Sequence, residues 1–178
     1  APTGKTANDS VALKLTVRVP TNAKSFTFDF DFYTSEYIDY SCSAFNDTYV
    51  AILKSKAPLD PKLAGNISVD TKGNPINVNS DFFQVCTPGT SSGGKIKYSC
   101  PLGRNELKGT GFDDGSGDDQ HGATSWLQTR ASVVPGEEIE ISFMIWNTSD
   151  HILQSSIVLD NWKWSAEGTT APVTDRPK

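Results

Sequence analysis

The stretch Phe26-Thr27-Phe28-Asp29-Phe30-Asp31-Phe32 admits one local structure. Four aromatic rings recur at every second position, with two carboxylates between them. In a strand, successive side chains point to opposite faces, so the four Phe fall on one side and Asp29 and Asp31 on the other. A helix of 3.6 residues per turn would scatter the same rings around its circumference. The segment therefore reads as a strand with a buried aromatic face, and that face needs a second apolar layer to cover it.

The same period recurs from Val11 to Val19, where Val11, Leu13, Leu15, Val17 and Val19 alternate with residues such as Lys14, Thr16 and Arg18. This predicts another strand with one face buried. Further strands are expected over Thr48 to Lys54, Asn66 to Asp70, Asp81 to Cys86, Lys95 to Cys100 and Thr124 to Val133. Ile139 to Ile145 and Ser155 to Trp164 complete the set. Turn formers such as Gly73-Asn74-Pro75, Pro88-Gly89 and Pro135-Gly136 fall between these runs, and no window carries a helical stripe. In the last strand Ile157 and Leu159 are in one phase and Trp162 and Trp164 in the other, so a β-bulge or bend is expected at Asp160-Asn161. Many one-sided strands are buried most simply by two packed antiparallel sheets. The expected fold is all-β: an antiparallel, jelly-roll-like β-sandwich over residues 1–167, followed by a Thr/Pro-rich linker or tail at 168–178.

The 178 residues carry a net charge of −5, with Lys and Arg scattered rather than clustered. A surface that tracks phosphates is thereby excluded, and nucleic acid is not an expected partner. No apolar run approaches the ~20 residues needed to cross a bilayer as a helix, so membrane insertion is not expected. Of the three cysteines, Cys86 and Cys100 flank a Gly/Ser-rich segment that reads as a hairpin loop, which suits a disulfide and an extracellular setting. Cys42 is left over, or replaces one partner of that pair.

Acidic side chains mark the candidate sites. Gly111 to Gln120 holds Asp113, Asp114, Asp118 and Asp119 among small flexible residues. Such a loop either stays solvated or supplies oxygens to Ca²⁺, which takes six to eight of them in adaptable geometry. It lacks the spacing and closing Glu of an EF-hand. Glu36, Asp39 and Asp47 stand where two strands are expected to end, and Asp150 and Asp160 add hard oxygens near the last two strands. Ca²⁺ is accordingly the expected cofactor. Catalytic patterns are absent from the sequence: His121 and His151 lie outside HExxH-type spacing and there is no G-x-S-x-G elbow. A non-catalytic binding module is expected, with a polysaccharide hydrolase as a minor alternative. Trp126 and Tyr37 are the aromatic candidates for contact with a ligand such as a sugar ring.

Taken together, Phe28 to Tyr37, with its aromatic strand and Ser35-Glu36-Tyr37, and Phe45-Asn46-Asp47-Thr48-Tyr49-Val50-Ala51 resemble the opening of choice-of-anchor L domains. Gly65-Asn66-Ile67, Pro75 to Asn79, Thr124 to Thr129, Val134 to Glu137 and Ile145 to Asp150 look like that family's later segments. Asp150 through Ser155-Ser156-Ile157-Val158-Leu159 is close to its G-D-x-x-x-D-S-x-V pattern. The likeness spans roughly residues 24–165, with Tyr37 and Gln154 standing where acidic residues are usual. It implies a secreted or surface-displayed bacterial β-sandwich, part of a larger anchored protein, with Glu36, Asp47 and Asp150 as the matching acidic positions. The expected partners are carbohydrate or a cell-surface protein, and a structural spacer is the alternative role.

Overall fold

The computed structural model describes residues 6–91, 94, 96–113, 115 and 121–177. Its strands are β1 (Ala7–Arg18), β2 (Ser25–Thr34), β3 (Thr48–Lys54), β4 (Ile76–Asn77), β5 (Gly89–Thr90), β6 (Lys97–Tyr98), β7 (Gly122–Ala123), β8 (Leu127–Ser132), β9 (Glu138–Thr148), β10 (Ser155–Ser165) and β11 (Val173–Asp175). They form two antiparallel sheets, β1-β9-β3-β4 and β10-β2-β8-β11, with β7 also pairing to β2 and β5-β6 standing apart as a small hairpin. Successive long strands alternate between the sheets, which is the expected all-β sandwich. Among the described residues, no helix is long and apolar enough to cross a membrane.

The aromatic strand organises the core as its period requires. Phe26, Phe28, Phe30 and Phe32 are all essentially buried, and Leu127 and Ala131 of β8 share their face. Across the sandwich, Phe28 meets Phe143 edge to face at 5.1 Å and Phe30 packs on Tyr49 at 4.9 Å. Burying each such ring is worth roughly 1.5–3 kcal/mol. The register of β10 against β2 shifts between Asp160 and Lys163, so the predicted bulge is present. Asn161 takes the left-handed conformation there, φ 58°, which Asn tolerates better than most side chains. The shift brings Trp162 onto Phe26, stacked at 4.3 Å, with Trp164 beside it. The change of phase in the sequence is thus what keeps both indoles on the core side.

Four sequence expectations differ from the fold. The apolar face of β1 is not covered: Val11 is 66% exposed and Leu13 50%. β1 is an edge strand with only β9 beside it, and the facing sheet ends at its own edge strand, β10, so the sandwich stays open along this seam. Residues 66–70 and 81–86 make isolated bridges instead of regular strands. The run expected from Lys95 to Cys100 contributes only Lys97–Tyr98. The segment expected as a tail instead supplies β11, which pairs with β8. There Thr174 is buried against Thr129, and the Arg176 guanidinium donates to the carbonyls of Thr124 at 2.8 Å and Phe82 at 2.9 Å.

Between β4 and β8 the chain makes a long excursion tied by the Cys86–Cys100 disulfide, as expected, with Cys42 free and exposed. Part of it packs Val85, Leu107 and Ala123 with Tyr33 and Phe112, over the face of β2 opposite the Phe row. That second layer matters for Asp31, as the Gln128 and Asn161 amides do for Asp29. Solvent is the ordinary place for the polar face of an aromatic strand, yet Asp31 is fully buried and Asp29 is 8% exposed.

Candidate functional site

Glu36 follows directly on β2, Asp47 directly precedes β3, and Asp150 lies in the turn between β9 and β10. The antiparallel pairing of β10 with β2 and of β3 with β9 brings these three strand ends together. The Glu36 amide donates to Thr34 Oγ1 at 3.1 Å, and Ser155 Oγ lies 2.9 Å from that same hydroxyl while donating to Asp47 Oδ2 at 2.5 Å. The Thr148 amide donates to Asp47 Oδ1 at 3.0 Å. Asp150 is half-buried, accepting the Ile152 amide on Oδ1 and the Asn8 side chain on its carbonyl.

The electrostatics of this end are those of crowded carboxylates. Glu36 is 1% exposed, and its Oε2 has no hydrogen-bond partner among the described residues. Burial, and then the charges of Asp47 and Asp150, push its pKa up to about 8. Burial likewise raises Asp47, against the pull of the Ser155 and Thr148 donors. In chemistry the set suits a hard cation, because it offers carboxylate oxygens of which one is buried and unsatisfied. In position the oxygens are near but not gathered. Among the described residues, no three His, Cys, Asp or Glu side chains are close enough to hold a metal ion as they stand.

The other sequence candidates lie elsewhere. Asp160 is exposed on β10, five residues and about 16 Å of strand beyond Ser155. Asp113 is ion-paired to Arg104 at 2.8 Å and accepts the Gly109 amide, and the Arg104 bond holds its carboxyl below the usual range. Asp114, Asp118 and Asp119 lie outside the described residues. Tyr37 is no ligand platform: it is 4% exposed, stacks on Phe83 and donates its hydroxyl to the Phe83 carbonyl at 3.1 Å. Phe83 and Tyr98, both more than 40 residues further along the chain, turn it inward, and nothing local distinguishes that from an exposed Tyr. Trp126 is 37% exposed.

Two polar groups on the outer face of the second sheet escaped sequence reasoning. In the first, Asp29 Oδ1 accepts from Gln128 at 2.8 Å and Oδ2 from Asn161 at 2.6 Å. This carboxylate lines an open cleft of about 550 Å³ with Arg130, Lys163, Asp175 and Arg176. A smaller hollow continues from Asp29 to Trp126 and Asp160. In the second, Asp31 Oδ1 accepts from Thr124 Oγ1 at 3.1 Å while Oδ2 has no partner among the described residues. Burial, with the Glu106 carboxylate nearby, pushes Asp31 up to about 6 despite the neighbouring Tyr33 hydroxyl and the Thr124 donor. The usable signals were the two Asp within the Phe row and the phase break at Asn161. What buries the carboxylates comes from more than 40 residues away, so no local window reveals it.

No curated protein and no solved structure matches this chain. The family model of the choice-of-anchor L domain matches residues 3–163. Together with the sandwich that these residues form, that match places the chain in the choice-of-anchor L domain family, as a surface-protein domain.

Proposed function

We propose that this chain is a non-catalytic module of a larger bacterial surface protein, and that it takes up Ca²⁺ at Glu36, Asp47 and Asp150 to fix one end of the sandwich. The observation that carries this reading is the buried Glu36 Oε2 with no partner beside two further carboxylates. A divalent cation would supply the missing counter-charge and gather the Asp150 turn onto the ends of β2 and β3. The chain's own part is to hold Asp47 through Thr148 and Ser155 and to keep Glu36 out of water, so that its oxygens face a cation in preference to solvent.

Thermal melts in CaCl₂ and in EDTA test it. At a hundredfold excess over Kd, binding adds about 2.7 kcal/mol, and for a domain of this size that raises Tm by roughly 5–11 °C. Glu36→Gln and Asp150→Asn are expected to abolish the rise. Equal melts in CaCl₂ and EDTA overturn the calcium reading. A second reading, a spacer with no ion, is favoured by the satisfaction of both Asp47 oxygens by Thr148 and Ser155, and equal melts are its expected result.

A further inference from the structure

We infer that the outer face of the β10-β2-β8-β11 sheet is a saccharide-binding site, with Trp126 as the stacking platform and Asp29 as the fixed hydrogen-bonding centre. The inference is independent of any ion at Glu36, which lies beyond the other end of β2.

Sugar recognition needs an aromatic face for the C–H side of a pyranose ring and, next to it, planar polar groups that satisfy the ring's hydroxyls in fixed directions. Both are present: Trp126 stands immediately before β8, and Asp29, Gln128 and Asn161 stand on strands. The register across this face aligns Asp160, Asp29, Gln128 and Asp175 in one row, and Lys163, Thr27, Arg130 and Val173 in the next. Asp29 is locked between two amides, its carboxylate nine-tenths buried with lone pairs still available toward the cleft. The bulge is what delivers one of those amides: Asn161, in its left-handed conformation, turns outward onto Asp29 while Trp162 turns inward. An irregularity that only closed the core would not need an Asn that reaches across to a neighbouring strand.

Charge narrows the ligand class. Arg130 and Lys163 line the cleft and form no ion pair among the described residues. Arg176 lines it too, already anchored on two carbonyls. Against these three cations the lining sets only the Asp29 and Asp175 carboxylates. A cleft with cations in excess beside a fixed hydrogen-bonding array suits a saccharide whose carboxylates meet Arg130 and Lys163, so a uronate-containing chain is the expected ligand, ahead of a neutral one.

The test is binding of the intact chain, in CaCl₂ and again in EDTA, to immobilised oligogalacturonate, oligomeric alginate, cellohexaose and chitohexaose. Retention of at least one uronate oligomer is expected, with affinity falling at least tenfold in Trp126→Ala and at least fivefold in Arg130→Ala. Lys54→Ala, on the other sheet, should bind as the parent does, and circular-dichroism melts confirm that each variant is folded. Binding that survives EDTA, with Trp126→Ala keeping any calcium-dependent gain in Tm, separates this site from the proposed ion site. Failure to retain either uronate oligomer, or retention that Trp126→Ala and Arg130→Ala leave unchanged, overturns the inference.

Discussion

Replacing Asp31 by asparagine should stabilise this protein at neutral pH and do nothing at acid pH. Asp31 is fully buried, one of its oxygens has no partner among the described residues, and its pKa rises from 3.8 to about 6. The folded state therefore holds a proton that the unfolded chain has already lost between about pH 4 and 6. Stability associated with this group is fully present below about pH 4 and falls as pH rises through about 6. A rise of that size corresponds to about 3 kcal/mol at pH 7.5. The amide side chain of the Asp31→Asn variant carries no charge to desolvate. Its carbonyl can still accept from Thr124, and its NH₂ group can donate toward Glu106. Urea unfolding in EDTA, followed by tryptophan fluorescence from pH 4 to 8, reads the difference between variant and parent directly. The expected gain is about 2–3 kcal/mol at pH 7.5, shrinking to within about 0.5 kcal/mol at pH 4. A variant destabilised equally at both ends of the range would show that Asp31 is ionised and satisfied in the fold, and would refute the reasoning.

Other perturbations have sizes set by the same structure. Removing the Cys86–Cys100 bridge by a double change to Ala should lower stability by about 3 kcal/mol in urea titrations, the value for a loop of ~15 residues in the chain-entropy model. Arg176→Ala withdraws donors from the Thr124 and Phe82 carbonyls, so about 2–4 kcal/mol should be lost together with amide-exchange protection of β11. Leu13→Ser, on the open β1 edge, should cost less than about 1 kcal/mol, whereas Phe143→Ala, buried opposite Phe28, should cost about 3–5 kcal/mol in the same titration.

The features legible in the sequence were those written in short-range periodicity. Alternation gave β2, β9 and β10 nearly to their ends, because each of these strands turns inward the side that its apolar residues occupy, and a short apolar run gave β3, which is buried on both faces. The phase break at Asp160-Asn161 was legible for the same reason: a strand cannot change its buried face without an extra residue. What failed depends on neighbours far along the chain. β1 has the same alternation as β2, but whether an apolar face is covered is decided by how far the opposite sheet extends, and here it stops at β10. Asp31 looked solvated because the layer over it comes from residues 85–124, and Asp29 because its covering amides come from Gln128 and Asn161. Of the acidic candidates, Glu36, Asp47 and Asp150 were brought near one another by strand pairing without being gathered into a ligand set, whereas Asp113 found Arg104 and Asp160 stands beside Asp29 on the outer face, accepting the Asn161 amide. A sequence shows which residues are acidic; the partners that pairing supplies decide which of them remain unsatisfied.

A crystal structure grown in calcium chloride, with anomalous difference maps, tests the central claim most directly. The account predicts a peak about 2.3–2.6 Å from Glu36 Oε2, shared with Asp150 and with Asp47 or its carbonyl surroundings. A map with no peak there, and Glu36 still without a partner, would contradict it, as would calcium found only within the loop at residues 113–119.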